Sequence, residues 1–443
     1  MFIRLSDNAI FRKTAENEGI LINMITREKV TVNETGLFFL SHVDDTLQDT
    51  EEIVTKLSQE IEGVSIDNIR NDFMEFMGAL KEEYMIEMDE NMTYHPLKHL
   101  HIEITMKCNE RCIHCYLPNK LKTQGEQMSY THFCELVDDF VALGGEDITL
   151  SGGEPLAHPD FLKMLAYCNS KNLTINILSN LTLMNDELID RLRSYNIGTI
   201  QTSIYSLKPA IHDKITLMRD SLTKTMTAVE KLYREGFSLQ IACPVFAENF
   251  GETESLVKYA KDKGIRLKIN AMLLPQIDGN AEFKNKCSLT IKQRRLLLHS
   301  LLENKDQYTH EQLMQCSTKS NDLCANPALF LEQPVCSAGI DNCSISTAGL
   351  VFPCPEWTAF EIGNTNLDSL RDIWKQSEAL KQFRAINKRK NFKKCLSCEA
   401  LDYCKMCLML NQAENDGEIL RMSKNTCDTA FMTRDILEKD KIE

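Results

Sequence analysis

The apolar positions of the first ninety or so residues change from a strand pattern to a helical pattern. Residues 19–25 and 29–32 are typical of two short strands joined by a tight turn. Asn33 and Thr50 each stand at the start of a predicted helix, where a polar cap is expected. A third helix is predicted by apolar residues three and four apart, at Ile66, Ile69, Phe73, Met77, Leu80 and Tyr84. Small strands followed by three short helices predict a winged-helix-like domain over residues 1–93.

The middle of the chain alternates short apolar segments with amphipathic ones. The candidate strands are residues 101–105, 147–150, 174–178, 199–203, 239–242 and 267–271. Helical patterns lie between them, for example over residues 130–143 and 221–235. Strand and helix units that alternate in this way predict the α/β class, with parallel strands in a barrel or part of one over residues 98–280. Functional loops are then expected after the carboxyl ends of the strands.

The last part of the chain has weaker periodicity and many cysteines. Residues 281–335 are predicted to be a helical bridging region, and residues 336–443 a cysteine-rich domain. Small cysteine-rich modules bury little apolar surface, so we expect this domain to depend on bound metal.

Composition narrows the function classes. The 443 residues include 17 Cys, and 50 Lys+Arg stand against 64 Asp+Glu, a net charge of −14. The first 95 residues hold 8 Lys+Arg and 20 Asp+Glu, which is −12 of that total. An acidic chain of this kind is not expected to bind nucleic acid. No signal peptide or membrane segment is recognisable, so a cytoplasmic protein with reduced, metal-binding cysteines is predicted.

Three cysteines lie directly after the first predicted barrel strand, in the segment Cys108-Asn-Glu-Arg-Cys112-Ile-His-Cys115. Such spacing lets one loop place its thiolates around one metal centre, as zinc and iron–sulfur sites require. Three ligands leave a coordination position for chemistry. A three-cysteine loop on its own is also typical of a zinc site.

This triplet resembles the signature of the radical S-adenosylmethionine (radical SAM) superfamily. The resemblance implies a catalytic [4Fe–4S] cluster on Cys108, Cys112 and Cys115, with S-adenosylmethionine on the remaining iron as the source of a 5′-deoxyadenosyl radical. His114 stands where the family usually has an aromatic residue. The cofactor-binding residues implied by the resemblance are His114, Gly152, Gly153, Glu154, Asn180 and Ser203. Thr216 replaces a basic residue of the family, for which Arg219 is a possible substitute.

The C-terminal cysteines resemble those of the SPASM domain, which follows some radical SAM barrels. The resemblance implies a first auxiliary [4Fe–4S] cluster on Cys336, Cys343, Cys354 and Cys407, and a second on Cys395, Cys398, Cys404 and Cys427. Two residues, and not the usual three, separate Cys404 from Cys407. Without Cys343 as a ligand, the first auxiliary cluster would have an open iron. Two zinc sites of four thiolates are the alternative that spacing leaves open.

The N-terminal module resembles the RiPP recognition element, which binds the leader segment of ribosomally made precursor peptides. An extended peptide can add to the edge of a small sheet, and an acidic module favours leaders with Lys or Arg. An acidic winged-helix packing domain without a ligand is the alternative.

Together these resemblances imply a radical SAM/SPASM peptide maturase of the thioether-forming sactipeptide or ranthipeptide type. Hydrogen abstraction from one residue would be followed by a bond from its carbon to a Cys sulfur. The implied partners are a precursor peptide with a leader segment and an electron donor such as flavodoxin or ferredoxin. Carbon–carbon crosslinking or another oxidative side-chain change is the first alternative. A metal-dependent binding or redox-sensing protein without catalysis is the second.

Overall fold

The computed structural model describes all of the chain except residues 7–8, 25, 45–47, 62, 84, 90–94, 272, 274–275, 277–280, 304–326 and 440–443. It divides into two compact units, Met1–His95 and Pro96–Glu443. Among the described residues, no helix has both the length and the apolar character that crossing a bilayer requires.

The N-terminal unit is built from two small antiparallel sheets and three helices. Its elements are β1 (Phe2–Leu5), β2 (Ala9–Ala15), β3 (Glu18–Asn23), β4 (Lys29–Val32), α1 (Glu34–Leu40), β5 (Gln48–Asp49), α2 (Thr50–Glu60), α3 (Ile66–Glu82) and β6 (Ile86–Asp89). One sheet has the order β2-β3-β4 and the other the order β5-β1-β6. The side chains of Ile69, Phe73, Met77 and Leu80 form the buried stripe of α3, as their spacing predicts.

Polar caps fix where the three helices begin. The Asn33 side chain accepts a hydrogen bond from the Gly36 amide at 3.0 Å and starts α1. The cap of α2 is Asp49, which accepts from the Glu51 amide at 2.7 Å, and Thr50 is the first residue inside the helix. Both predicted strands are present, as β3 and β4, and they pair antiparallel, whereas β1, β2, β5 and β6 had no clear sequence signal. Tyr84, the last residue of the predicted stripe, lies outside the described residues.

The second unit contains a sheet of six consecutive parallel strands. They are β7 (His99–Thr105), β8 (Asp147–Gly152), β9 (Thr174–Leu178), β10 (Ile197–Ser203), β11 (Leu239–Pro244) and β12 (Arg266–Asn270). Each strand pairs with the next one along the chain. Its helices are α4 (Asn119–Gln124), α5 (Tyr130–Ala142), α6 (Phe161–Ser170), α7 (Asp186–Leu192), α8 (Pro209–Thr216), α9 (Ser221–Arg234) and α10 (Thr253–Lys263). All six predicted barrel strands are therefore present, within a few residues of the expected bounds.

The C-terminal part of this unit continues the same sheet. Its elements are α11 (Glu282–Cys287), α12 (Ile291–Glu303), α13 (Pro327–Glu332), β13 (Asn342–Ile345), β14 (Leu350–Phe352), β15 (Gly363–Asn364), α14 (Leu370–Gln376), α15 (Glu378–Ile386), α16 (Leu408–Glu414) and α17 (Lys424–Lys439). Strand β13 pairs in parallel with β7, and β14 and β15 follow as an antiparallel extension. The fold is thus α/β with a mostly parallel sheet, and the cysteine-rich segment joins it through strand pairing that the sequence did not predict.

Candidate functional site

The three-cysteine loop follows β7 and is held by backbone hydrogen bonds on both sides. The Cys108 amide donates to the Lys122 carbonyl at 3.1 Å. The Arg111 amide donates to the Thr216 carbonyl at 3.0 Å, and the Ile113 amide to the Ile215 carbonyl at 2.9 Å. The carboxyl end of α8 therefore fixes the middle of the loop, where the cysteines stand.

Thr216 takes part in this site through its backbone. Its side chain is buried, and its hydroxyl lies 3.4 Å from the Asp213 carbonyl. The Arg219 side chain is 94% exposed and pairs with Asp220 at 3.6 Å. This position therefore supports the cysteine loop, and Arg219 points into solvent in this structure.

A buried carboxyl stands inside the loop itself. Ser221 donates to Glu110 Oε1 at 2.5 Å, and the Cys112 thiol donates to Glu110 Oε2 at 3.3 Å. His212 Nε2 lies 3.4 Å from the Ser221 hydroxyl. Burial raises the pKa of Glu110. Sequence reasoning missed this residue, although a carboxyl between two cysteines of one loop was a usable signal.

Gly152 and Gly153 allow the carboxyl end of β8 to pack closely against the backbone that leads into the cysteine loop. Gly152 has a φ of +136°, and a Cβ there would come within 2.1 Å of the Thr105 carbonyl oxygen. A Cβ on Gly153 would meet the Lys107 carbonyl oxygen at 2.4 Å. The Gly153 amide donates to the Thr105 carbonyl at 2.6 Å, and the Glu154 amide to the Lys107 carbonyl at 2.8 Å. These glycines are thus required by backbone packing within the protein.

Glu154 is fully buried and accepts three hydrogen bonds from the protein. Its donors are the Ser179 hydroxyl at 2.7 Å, the Asn180 amide at 2.8 Å and the Leu156 amide at 3.0 Å. Burial raises the pKa of Glu154 to about 7, against the opposing effect of those donors. Oε1 accepts two of these hydrogen bonds and Oε2 accepts one, so an acceptor site on Oε2 stays available for a cationic ligand group.

Asn180 connects this carboxyl to the cysteine loop. Its side-chain Nδ2 donates to Asn109 Oδ1 at 2.9 Å, and its Oδ1 accepts from the Thr182 amide at 2.9 Å. Its carbonyl accepts from the Thr225 hydroxyl at 2.8 Å. Asn180 thus bridges the ends of β8 and β9 to the loop.

His114 lies in an aromatic pocket. Its ring centroid is 4.8 Å from that of Tyr205 and 5.2 Å from that of Phe246. Burial lowers the pKa of His114 to about 3, so the imidazole is neutral. Its Nδ1 is buried and has no hydrogen-bond partner within the described part of the chain. Ser203 ends β10 and stands two positions before Tyr205 in the chain. A polar atom of a bound ligand can therefore meet His114 Nδ1 on this side of the barrel.

A third carboxyl near the loop, that of Glu103, is half-buried and lies on the strand before it. Glu103 on β7 accepts a short hydrogen bond from the Tyr116 hydroxyl, and burial raises the pKa of both groups. Glu103 also lines a small cavity with Ser344, Ser346 and Phe352. Sequence reasoning had assigned no role to Glu103 or Tyr116.

The chemistry of the donors fits an iron–sulfur cluster at the first site. Among the described residues, no three His, Cys, Asp or Glu side chains are close enough to hold a single metal ion. Burial raises the pKa of Cys108 to about 11 and holds that of Cys112 well above its ordinary value, while Lys122 acts in the opposite direction on both. A metal centre would deprotonate such thiols, because cluster ligands are thiolates.

The cysteines of the C-terminal part fall into two neighbourhoods. Burial raises the pKa of Cys354 to about 12, and Cys407 and Cys336 raise it further as nearby charges. Burial raises the pKa of Cys395 to about 11, with Cys427 and Cys398 as the nearby charges. Cys404 directly follows a short 3-10 turn, Leu401–Tyr403. The Leu401 amide at the start of this turn donates to the Cys398 carbonyl at 3.1 Å. Cys343 lies in β13 and is buried.

The other cysteines lie mainly in the apolar core. Cys168, Cys243 and Cys287 are buried, and Cys134 on α5 is half-buried. Cys316 and Cys324 lie outside the described residues.

Three family models match successive parts of the chain. The radical SAM superfamily model matches residues 102–260. The model of an iron–sulfur cluster-binding domain, SPASM, matches residues 336–399. The model of coenzyme PQQ synthesis protein D, PqqD, matches residues 18–86.

Curated relatives share about a quarter of their residues with this chain. The AdoMet-dependent heme synthase of Methanosarcina barkeri is 24% identical over 318 residues, which cover 69% of this chain and 89% of the relative. The antilisterial bacteriocin subtilosin biosynthesis protein AlbA of Bacillus subtilis is 26% identical over 341 residues, which cover 75% of this chain and 71% of the relative.

Solved structures share the fold over almost the whole chain. SuiB of Streptococcus suis has a TM-score of 0.61 at 18% identity, with 96% of this chain and 99% of that chain covered. SuiB bound to precursor peptide SuiA has a TM-score of 0.56 at 18% identity over the same shares of both chains.

Proposed function

We propose that this chain, a radical SAM enzyme with a PqqD-like N-terminal domain and a C-terminal SPASM domain, modifies a ribosomally synthesised precursor peptide. S-adenosylmethionine and [4Fe–4S] clusters are its cofactors. The observation that carries the peptide proposal is the PqqD match over residues 18–86, next to a radical SAM domain. AlbA is named as a bacteriocin biosynthesis protein, and SuiB has been solved with a precursor peptide bound.

The proposed catalytic centre uses Cys108, Cys112 and Cys115 as the three cluster ligands. When bound, the cluster and S-adenosylmethionine supply a 5′-deoxyadenosyl radical that abstracts hydrogen from substrate. Thr216 and Glu110 hold the loop in place, through the hydrogen bonds that the Thr216 carbonyl accepts from Arg111 and the Glu110 carboxyl from Ser221.

The residues around this loop are proposed to bind the rest of S-adenosylmethionine. The Glu154 carboxylate would accept from the amino group, because three internal donors already orient it and leave an acceptor site on Oε2. His114, with its unpartnered Nδ1, would contact the adenine, and Ser203 would contact the ribose. Gly152 and Gly153 hold the Glu154 turn against β7, and Asn180 ties it to the loop.

The N-terminal unit is proposed to bind the leader segment of the peptide. In the β2-β3-β4 sheet, β2 and β4 are edge strands to which an extended peptide can add. The charge of −12 on this unit favours a leader with Lys or Arg, with an effect that salt weakens.

We further propose that the modification is a thioether. A carbon of one peptide residue loses hydrogen to the radical, and a peptide Cys loses its thiol proton as the carbon–sulfur bond forms. One electron leaves the peptide, and the auxiliary clusters are sites that can take it up. An external donor such as flavodoxin or ferredoxin supplies the electron that starts each turnover.

The experiment is anaerobic co-expression of the full chain with a small Cys-containing reading frame next to its gene, followed by mass spectrometry. We expect the loss of a hydrogen pair per crosslink and protection of one Cys from alkylation. If the peptide loses hydrogen while every Cys can still be alkylated, the thioether proposal is contradicted. A carbon–carbon crosslink or another oxidative side-chain change would then be favoured.

Leader binding is tested separately by deleting residues 1–91. We expect the shortened enzyme to keep S-adenosylmethionine cleavage and to lose peptide turnover. Turnover of the peptide at the full rate by the shortened enzyme would overturn the leader-binding assignment.

The enzyme proposal itself is tested by the metal content and S-adenosylmethionine cleavage of the full chain. A protein that contains only zinc and cleaves no S-adenosylmethionine would overturn it.

A further inference from the structure

Cys343 differs in burial from the three cysteines with which the SPASM resemblance groups it. Its side chain is 1% exposed and belongs to the main apolar core, together with Leu100. Cys336, Cys354 and Cys407 are only partly buried and pack against the border of this core. Cys343 therefore has the environment of a core residue.

Strand register gives the direction of its side chain. Cys343 pairs with Leu100, and Ser344 pairs with His101 on one side and Phe352 on the other. Neighbouring residues of a strand point to opposite faces, so Cys343 and Leu100 share the face opposite to Ser344 and Phe352.

Cys354 lies just beyond this hairpin, two residues after the end of β14. It is only partly buried and packs against the border of the core, and the neighbouring thiols are those of Cys407 and Cys336. Cys343, in contrast, lies inside the paired part of β13.

The charged neighbour of Cys343 is Arg384 on α15. The guanidinium lies 4.6 Å from the Trp374 ring centroid, and its Nε donates to the Gly339 carbonyl at 2.7 Å. Its Nη2 is buried and has no hydrogen-bond partner among the residues that the structure describes. Burial lowers the pKa of Arg384 to about 10, while Cys343 acts to raise it. For Cys354, by contrast, the neighbouring thiols are Cys407 and Cys336.

We infer that Cys343 is a core cysteine facing Arg384 and not a cluster ligand. The first auxiliary cluster then takes three cysteines of the SPASM segment, Cys336, Cys354 and Cys407, and one of its irons is open to an added thiolate. This inference concerns cluster ligation alone and does not depend on which change the enzyme makes to its substrate.

The test compares Cys343→Ala with the matched variant Cys354→Ala. Both are made in the full chain carrying Cys108→Ala, Cys112→Ala and Cys115→Ala, so that only auxiliary clusters remain. The proteins are reconstituted with iron and sulfide without oxygen, and iron, sulfide and electron paramagnetic resonance spectra are measured. We expect Cys343→Ala to keep the roughly eight irons of two cubane clusters and its parent's spectrum, and Cys354→Ala to lose about half of that iron.

Loss of packing is separated from loss of a ligand by Cys343→Val, which fills the buried space with an apolar side chain. Loss of about four irons in both Cys343 variants, with circular dichroism unchanged, would overturn the inference.

The open iron is tested by adding 2-mercaptoethanol to the reduced proteins. We expect the same spectral change with and without Cys343, because the free position exists in both. A spectral change seen only in Cys343→Ala would show that Cys343 is a ligand of the cluster. No spectral change in either protein would overturn the inference that one iron is open.

Discussion

The two compact units differ in what can hold their folds together. The first 95 residues contain no cysteine, and their core consists of apolar side chains such as Leu21, Phe39, Leu57 and Phe73. All 17 cysteines lie in the second unit. A unit with its own apolar core does not need metal to fold, whereas a cysteine-rich segment gains stability from the metal that it binds. The difference separates the proposed recognition of a peptide, for which the first unit would need no cluster, from the radical chemistry, which depends on clusters.

The largest expected effect is on chemistry and is confined to the second unit. Cys108→Ala removes a proposed ligand of the catalytic cluster, so we expect no detectable S-adenosylmethionine cleavage and the loss of about four irons per chain. The readouts are 5′-deoxyadenosine formation and iron content under reducing, oxygen-free conditions. The matched control is Cys134→Ala, because Cys134 is a half-buried helix residue outside the loop. Cleavage at the control rate by Cys108→Ala would contradict the assigned ligand.

The next effect is on stability and is confined to the first unit. The Phe73 ring is fully buried and meets Phe39 edge to face at 5.5 Å between centroids. Phe73→Ala should reduce the free energy of unfolding of this unit by about 3–5 kcal/mol, as large buried aromatic truncations do. We expect binding of the leader peptide to weaken while S-adenosylmethionine cleavage stays unchanged. Equal loss of cleavage would show that the two units do not act separately.

The smallest effect concerns acid stability of the barrel. His101 lies on β7 and contacts Ser151, and burial lowers its pKa to about 4 from an ordinary value near 6.5. The neutral form is therefore favoured by folding, so this stability is fully present above pH 6.5, is lost progressively as the pH falls from 6.5 to 4, and is absent below pH 4. At pH 5 the loss amounts to about 2 kcal/mol. Denaturant unfolding of wild type and His101→Gln at pH 7 and pH 5 measures it. An equal pH effect in both proteins would exclude His101 as the source.

The parts of the fold that were predictable from sequence are those with a strong local signal. The strands that lead to Cys108 and Glu154 are short apolar runs bounded by turns, and the α3 stripe has a regular helical period. The candidate site residues could be proposed from sequence because loops after parallel strands converge at one edge. The packing of Gly152 could not be predicted, since it depends on how closely the Thr105 backbone approaches it.

Long-range contacts account for what the sequence did not reveal. Nothing in the four residues of β13 indicates that they pair with β7, some 240 positions earlier in the chain. The buried partners Glu110 and Ser221 are 111 positions apart, and each on its own resembles an ordinary surface residue. Single-sequence patterns report local period and spacing, and such pairs have neither.

The pairing of β13 with β7 also protects a sheet edge. Without it, β7, the strand that leads into the three-cysteine loop, would present a row of unpaired backbone donors and acceptors, and such edges template aggregation. The cysteine-rich segment is therefore part of the barrel's wall as well as a holder of clusters. Shortening the chain before residue 336 should yield aggregates, whereas a cysteine-free segment that still supplies this strand should keep the barrel in solution.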